Sequence, residues 1–355
     1  MGLFGRKPAA TPRYFSACNF APGPQGCGAA ALDAEGRILW RLKAAARGHT
    51  MEIAPDGGLC ALIDRKPGAA ITLCDPADGT VQRRIAAPEG YSFDGHAVFS
   101  GDGTRLYATE SRDGDQTGRI GVYRLADGAP IGAFATHGVE PHELIWLERD
   151  RTLAVANGGI VDRQALEAEI DSSLVILDAS SGEVRTRIVL DAELNTLSIR
   201  HLALSADGEI VFAMQDQDAG TEWRPMVGIA EATGGVSFLD LPREALMRLR
   251  GYCGSAAVDR TGTVAAATSP HGGVAAFWHL PERRFLGLVE LRDGCGIAAA
   301  ERPGGFVFTS GSGTRLLVEA TRDGVTSRVL ERPSDGLPLW DNHLTPNTPA
   351  LDPPG

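Results

Sequence analysis

The sequence lacks the short motifs by which several enzyme classes are recognised. It contains no Gly-x-x-x-x-Gly-Lys phosphate loop, no Gly-x-Ser-x-Gly nucleophile turn and no Cys-x-x-Cys pair. These absences argue against P-loop nucleotide hydrolysis, an α/β-hydrolase mechanism and a thioredoxin-like redox centre. No apolar run reaches the roughly 18 residues that a membrane-spanning helix needs, so we expect no membrane span.

Positive charge is also scarce. The chain has 34 Lys and Arg against 45 Asp and Glu, which gives a formal net charge of −11. Nucleic acids and anionic membrane surfaces are bound through clustered Lys and Arg, and the sequence has no such cluster. We therefore exclude nucleic acid and anionic membrane surfaces as partners.

What the sequence does contain is a repeat. Each copy opens with a His or a small residue, continues through a short apolar run and ends in a turn rich in Gly and Asp. The copies open at Gly48-His49, Gly95-His96, Pro141-His142, Arg200-His201, Gly254-Ser255, Cys295-Gly296 and Asn342-His343. Their spacing of roughly 40 to 60 residues is the period of propeller blades. Seven copies predict seven blades.

The repeat also predicts how the ring closes. The copy that opens at His96 has four short apolar runs separated by Gly, Asp and Pro, the pattern of a four-stranded antiparallel blade. Residues 14–42 supply only a second, a third and a fourth strand, and His343 begins the missing first strand. The sequence thus predicts an all-β, seven-bladed β-propeller closed by pairing of N- and C-terminal strands in one shared blade. Such closure removes two exposed sheet edges.

These patterns divide the chain into three parts. We expect an N-terminal extension over residues 1–13, the seven-bladed propeller over residues 14–344 and a flexible Pro-rich tail over residues 345–355. Two connections, residues 160–171 and 216–225, are longer than their counterparts in other blades. Long loops in compact folds tend to be lids or binding loops, so we expect both to roof one mouth of the channel.

Five of the eight histidines occupy one position of the repeat. They are His49, His96, His142, His201 and His343. Because the first strand of each blade lines the central channel, we expect these imidazoles to converge at one mouth of it. Imidazole binds copper, iron and zinc, so the pattern predicts a transition-metal site. The alternative is that each His ties neighbouring loops together by hydrogen bonds, without a metal.

A second set of polar residues is expected on the same face, mostly where second strands end. We take them as candidates for binding a cofactor or a small molecule: Arg65, Glu110, Asn157, Arg200, Gln215, Ser255 and His271. Their residue types differ from blade to blade, as expected of a binding surface on a repeat scaffold. A solvated rim would have a similar composition, so this alternative stays open.

Two features predict different compartments. Residues 1–10 contain no apolar core of the length that a signal peptide needs, which predicts a cytoplasmic chain. An even number of cysteines in three pairs is instead the pattern of an oxidising compartment. The candidate pairs are Cys60 with Cys74, Cys18 with Cys27, and Cys253 with Cys295. Free Cys also packs well as a small apolar residue, so unpaired thiols are the alternative.

Motifs spread over nearly the whole chain carry a family resemblance. They include Arg47-Gly48-His49, Asp94-Gly95-His96-Ala97-Val98-Phe99-Ser100, Pro141-His142-Glu143-Leu144, Ser198-Ile199-Arg200-His201-Leu202, Thr268-Ser269-Pro270-His271-Gly272-Gly273 and Trp340-Asp341-Asn342-His343. With them the sequence resembles a family of bacterial propeller proteins catalogued as a domain of unknown function. Its members often carry a twin-arginine export signal and are found beside imelysin-type periplasmic proteins linked to iron uptake. The resemblance implies a periplasmic role in metal handling, with periplasmic iron-uptake proteins as partners.

The sequence as a whole predicts a monomeric periplasmic propeller that binds copper or iron through its five in-phase histidines. Metal handling or redox chemistry is the expected role, and the resemblance to an iron-linked family favours iron or copper over zinc. Two alternatives stay open. One is a metal-free propeller that binds or acts on a small molecule at the funnel, as lactonase-type propellers do, and the other is a docking scaffold for a protein. The sequence assigns no catalytic residue, so enzymatic activity is left undecided.

Overall fold

The computed structural model of the chain describes residues 11–161, 170–218 and 223–347. Within these ranges the backbone forms 29 strands, which pair in antiparallel fashion into seven sheets. The first strands of neighbouring sheets contact one another, so each sheet is a blade whose first strand is innermost. The predicted seven-bladed, all-β propeller is therefore confirmed.

The blades are numbered 1 to 7 along the chain, and blade 1 is the shared one. It contains β1 (Tyr14–Asn19), β2 (Cys27–Leu32) and β3 (Ile38–Lys43). Blades 2 to 4 each consist of four consecutive strands. They are β4 (Gly48–Ile53), β5 (Cys60–Asp64), β6 (Ala70–Cys74) and β7 (Val81–Ala86); β8 (Tyr91–Phe99), β9 (Arg105–Arg112), β10 (Thr117–Arg124) and β11 (Pro130–Val139); and β12 (Pro141–Glu148), β13 (Thr152–Asn157), β14 (Ser173–Asp178) and β15 (Val184–Ile188).

Blades 5 to 7 repeat the same four-strand meander. Their strands are β16 (Leu197–Leu204), β17 (Ile210–Asp216), β18 (Val227–Ala230) and β19 (Val236–Phe238); β20 (Ser255–Val258), β21 (Val264–Ser269), β22 (Val274–His279) and β23 (Arg284–Glu290); and β24 (Gly294–Ala299), β25 (Gly305–Ser310), β26 (Arg315–Thr321) and β27 (Gly324–Glu331). Among the described residues the only helices are α1 (Arg243–Leu249) and two short 3-10 turns, Pro24–Gly26 and Ala192–Leu194. None of these helices is long and apolar enough to cross a membrane.

Two short C-terminal strands complete blade 1. β28 (Leu339–Trp340) and β29 (Thr345–Pro346) both pair with β1, and the hydroxyl of Ser16 on β1 donates to the carbonyl of His343 between them (2.7 Å). This is the predicted closure of the ring by N- and C-terminal strands. Residues 345 and 346, which the sequence assigned to the tail, lie in the sheet. Residues 1–10 and 348–355 fall outside the described part of the chain.

The apolar core lies between the faces of adjacent blades. Short side chains such as those of Ala265 to Ala267 on β21 are fully buried, which lets neighbouring blades approach closely. Larger side chains interlock across the same interfaces. Phe277 of blade 6 and Phe306 of blade 7 meet with ring centroids 5.5 Å apart. Twisted sheets packed face to face in this way bury both faces of every blade.

All six cysteines are buried free thiols. Cys60 and Cys74 are directly opposite each other on β5 and β6, as the sequence predicted, and their sulfur atoms are 2.9 Å apart. Cys18 is paired with Gly28 rather than with Cys27, and the two thiols pack into different core clusters. Only the first of the predicted pairs thus has its sulfur atoms described in contact.

Removal of the closing strands tests the closure. A chain that ends at Gly336 loses β28 and β29, including the buried side chains of Trp340 and Leu344. Truncation of one buried large side chain costs about 3–5 kcal/mol, so we expect cooperative unfolding at a much lower Tm, measured by calorimetry. A chain that ends at Asn347 keeps both strands and is the matched control. An equal Tm for the two truncated chains would contradict the closure.

Candidate metal centre

The five in-phase histidines meet on the propeller axis. The ring centroids of successive histidines lie 4.7 to 5.0 Å apart, and His96 and His343 are also 4.7 Å apart, so the five imidazoles form a compact cluster, called here the histidine ring. It takes one residue from each of blades 1 to 5, namely His343, His49, His96, His142 and His201. Blades 6 and 7 contribute Ser255 and Gly296 at the equivalent places. The hydroxyl oxygen of Ser255 lies 3.5 Å from Nδ1 of His343.

Bulges in the innermost strands turn the histidines toward the axis. In blades 2 to 5 the register between the first and second strands shifts at the His, for example between Gly48 and Thr50 and between Ile199 and His201. A bulge locally re-aims a side chain away from the face of its sheet. Gly95 allows the close packing that results, because its φ is +103° and a Cβ there would lie 2.5 Å from the His49 ring.

The ring imidazoles are neutral at physiological pH. Burial is the main cause that lowers the pKa of each of them, and the pKa of His201 falls to about 3. A neutral imidazole keeps one nitrogen with a lone pair, which a metal can accept. The Nε2 atoms of four ring members have no hydrogen-bond partner among the described residues, and these are His49, His96, His201 and His343.

The geometry of the ring suits a metal ion. The ligand nitrogens of His49, His96, His142 and His343 all lie within 4.8 Å of one another. A tetrahedral ion with metal–nitrogen bonds of about 2.0–2.1 Å needs nitrogens about 3.4 Å apart, so the four imidazoles would have to move closer together to bind it. A second group of atoms within the same limit consists of His96, His201 and the carboxylate of Glu143.

Two carboxylates orient the histidine ring. Asp341 lies 3.4 Å from Nδ1 of His49, and Glu143 lies 3.3 Å from Nδ1 of His201. Burial alone would raise the pKa of Asp341, but the His49 contact and the charges of Arg47 and Arg65 lower it. Asp341 is therefore a carboxylate, which fixes the tautomer of His49 and leaves its Nε2 free for a metal, as is usual for ligating histidines.

Neither carboxylate was among the site residues predicted from the sequence. Asp341 precedes His343 by two residues, as Asp94 precedes His96 and Glu140 precedes His142. This acidic residue two places before the His is the signal that could have identified Asp341. Glu143 directly follows His142 and has no counterpart in the other blades, so the repeat gave no indication of it.

A network of ion pairs lies on the side of the channel where the innermost strands begin. The ammonium of Lys66 contacts Asp94 at 2.9 Å and Glu140 at 3.8 Å, and Arg200 pairs with Glu140 at 3.0 Å. Ser111 also donates to Asp94. Asp94, Glu140 and Arg200 are each at most 2% exposed. Arg200, predicted as a cofactor-binding residue, therefore lies inside an ion-pair network that joins blades 4 and 5.

The other predicted binding residues are mostly engaged within the fold. Glu110 accepts hydrogen bonds from Tyr123 and Arg119, Asn157 donates to the carbonyl of Thr136, and Gln215 donates to the carbonyl of Cys253. Arg65 lies 3.6 Å from Asp341, beside the histidine ring. His271 is exposed and stacks on Tyr252, away from the ring. Residues 162–169 and 219–222, within the two loops predicted to roof the mouth, lie outside the described residues.

Two acidic groups adjoin the other side of the ring. Burial raises the pKa of Glu52 and of Glu143 to about 8. The charge of Glu143 contributes to the higher pKa of Glu52. Both carboxyl groups are therefore mainly protonated at neutral pH. Neutral acids next to neutral imidazoles let this region stay buried without a net charge.

These pKa shifts predict how the stability of metal-free protein depends on pH. Below about pH 6.5 the unfolded histidines bind protons that the folded ring does not, so stability falls as the pH falls. Glu52 and Glu143 act oppositely, because the folded carboxyls keep protons that unfolded ones lose above about pH 4.3. On unfolding, the chain takes up at most about five histidine protons and releases about two carboxyl protons. The net uptake of about three protons changes the free energy of unfolding by about 4 kcal/mol per pH unit.

Urea unfolding in the presence of EDTA at pH 7.0, 6.0 and 5.5 measures this slope. The double variant Glu52→Gln, Glu143→Gln removes the opposing protons, so we expect a steeper loss of stability than in the parent. A free energy of unfolding that is constant between pH 7.0 and 5.5 would show that the ring histidines are not held neutral.

Comparisons with known proteins agree with the fold. No curated protein matches the sequence significantly. Hydrazine synthase of Kuenenia stuttgartiensis has a similar structure, with a TM-score of 0.61 and 15% identity over 94% of this chain and 99% of that chain. A chain in the crystal structure of the mitotic checkpoint complex has a TM-score of 0.59 and 13% identity over 93% and 84%. Identities this low concern the fold alone.

The family comparison reaches further along the sequence. A family model described as a protein of unknown function (DUF1513) matches residues 42–346. The match includes every member of the histidine ring as well as Asp341 and Glu143. The chain belongs to this DUF1513 family of propeller proteins.

Proposed function

We propose that the protein is a periplasmic propeller that binds one copper or iron ion through the histidine ring and serves in metal handling or redox chemistry. The observation that carries this proposal is the set of four buried Nε2 atoms without a partner among the described residues. Leaving a buried polar atom unsatisfied costs about 1–3 kcal/mol. A metal ion bound by these nitrogens would remove that cost at several positions together.

The donor set supports copper or iron as the ion. All ligand candidates are imidazole nitrogens, with Glu143 as a carboxylate at the edge, and the buried thiols belong to the blade cores. Imidazole suits copper, iron and zinc, and copper(II) binds nitrogen sites most tightly among divalent first-row ions. When bound, such an ion would supply Lewis acidity or one-electron chemistry. His49 and His201 would be oriented for it by Asp341 and Glu143.

The periplasmic location and the iron-uptake partners are what the family resemblance of the sequence implies, and the description of the matched family model names neither. A monomer is consistent with a closed ring, because closure leaves no inner sheet edge for a second chain. No catalytic residue is assigned, so the proposal concerns metal binding rather than a particular enzymatic activity.

The alternative to this proposal is a histidine ring that is held together by hydrogen bonds and binds no metal. It would need the imidazoles to donate to one another, whereas Nε2 of His96 and of three other members has no hydrogen-bond partner within the described ranges. A docking scaffold that uses the polar rim is less favoured, because Glu110, Asn157 and Gln215 are buried and bonded within the fold.

Metal content tests the proposal directly. After reconstitution with each metal and desalting, we expect about one equivalent of copper or iron per parent chain, measured by mass spectrometry of the elements. The double variant His96→Ala, His142→Ala should bind less than about a tenth of an equivalent, since it removes two of four converging nitrogens. His271→Ala removes an exposed histidine outside the ring and is the matched control. Because burial keeps the ring imidazoles unprotonated, the metal affinity of the folded chain should change little as the pH falls through about 6.5, where free imidazole takes up a proton.

Folding must be followed in the same samples. A double variant that stays folded and keeps the full metal content would show that the ring is not the site. A parent chain that holds less than about a tenth of an equivalent of every metal would leave the hydrogen-bonded ring as the correct interpretation.

The oxidation state of Cys60 and Cys74 tests whether the protein resides in an oxidising compartment. The sulfur atoms of Cys60 and Cys74 are close enough that a shift of about 1 Å would join them at the usual bond length. We expect an unreduced digest of protein recovered from the periplasm to contain a peptide that links the two residues, detected by mass spectrometry. Cys253 and Cys295 provide an internal comparison, because each packs in a separate core cluster. Free Cys60 and Cys74 thiols in such a sample would count against an oxidising compartment.

A further inference from the structure

On the side toward which the innermost strands run, the channel widens into a cavity of about 510 Å³. All seven blades line it, and its inner end is formed by His96, His343 and Ser255 of the axial ring. This cavity, called here the chamber, is within the range of about 300–1,000 Å³ that is typical of small-molecule sites. It lies opposite the side that was predicted to bind a cofactor, where ion pairs fill the channel.

The walls of the chamber are apolar and incompletely covered. Half-buried aliphatic residues from five different blades are part of the lining: Val98, Ile145, Leu204, Val258 and Ala299. Apolar surface that faces water inside a cavity gains roughly 25 cal/mol per Å² when a ligand covers it. A monomeric protein seldom keeps a continuous apolar surface exposed without a binding role.

Polar groups converge at the inner end of the chamber. Glu52 and Glu143 both line it, together with Thr50. Carboxyl oxygens accept hydrogen bonds from the hydroxyl group of a ligand. Apolar walls with a few convergent polar groups are the usual composition of a ligand site.

The composition of the walls selects a class of ligand. A charged molecule in the chamber would lose hydration against Val98, Ile145 and Leu204, which offer it no polar partner. An uncharged molecule avoids that cost. Its polar group would be matched by the carboxyls of Glu52 and Glu143 and its body by the aliphatic walls.

We propose that the chamber binds a small uncharged organic molecule, with its apolar body against Val98, Ile145 and Leu204 and a hydroxyl group directed to Glu52 and Glu143. Since His96 and His343 line the inner end of the chamber, a molecule bound there would also contact the histidine ring. The binding itself does not require a metal. The proposal therefore goes beyond the metal function and can be tested separately from it.

Three probes of similar size and different charge test the ligand class. They are 4-propylphenol, which is neutral at pH 7, 3-phenylpropionate, which is an anion, and 3-phenylpropylamine, which is a cation. Calorimetric titration of EDTA-treated protein should give saturable one-to-one binding of the phenol, with a Kd at or below about 1 mM, reasonable for ten non-hydrogen atoms. The two charged probes should bind at least about tenfold more weakly. Tighter binding of either charged probe would overturn the assignment, as would the absence of saturable phenol binding.

Filling the chamber tests the location. Ala299→Phe places a phenyl ring into the lining, and we expect at least a tenfold loss of phenol affinity with unchanged metal content. Val329→Phe adds the same ring on exposed β27, where the parent side chain is 48% exposed, and should leave the affinity as it is. If Ala299→Phe does not fold, Ala203→Phe makes the same test on the wall contributed by blade 5. Undiminished phenol binding in a folded chamber variant would overturn the proposal. Metal content, measured without the phenol, reports on the metal function independently.

Discussion

The pairing of the C-terminal strands with β1 is the interaction on which the rest of the structure depends. A propeller blade has no stable neighbour on one side until the ring closes, and here closure rests on two strands of two residues each. The same segment carries His343 into the histidine ring and Asp341 to Nδ1 of His49. Closure of the fold and assembly of the candidate site are thus one event, and neither can be complete without the other.

A second constraint is the combination of burial and crowding at the axis. Five imidazoles within contact distance cannot all be charged, and burial keeps them neutral. The bulged strands and Gly95 make room for them at a cost in regular pairing. Departures from regular structure of this kind persist where surrounding structure enforces them, and they cluster at functional sites. The ion pair between Glu140 and Arg200 links blades 4 and 5 next to the ring.

The phase of the repeat was enough to predict the blade number, the closure and the convergence of the five histidines, because each depends on position within a repeat. What it could not predict depends on contacts between repeats. Arg200 reaches Glu140, 60 residues earlier, so a residue that reads as a rim group is buried in an ion pair. Glu143 points toward His201 because the register of β12 shifts after Pro141. A strand without that bulge would turn the carboxyl elsewhere, and no sequence pattern specifies the bulge.

Most of the tryptophans lie at interfaces between blades, so their fluorescence reports on these interfaces. Four of the five donate their indole N–H across an interface, to the carbonyls of Pro76, Phe99, Asp240 and Gly313. The donors belong to blades 1, 4, 6 and 1 and are at most 8% exposed, whereas Trp223 is 42% exposed. Intrinsic fluorescence of this protein is therefore dominated by groups that sit between blades, and a red shift of the emission would record their separation while Trp223 changes little.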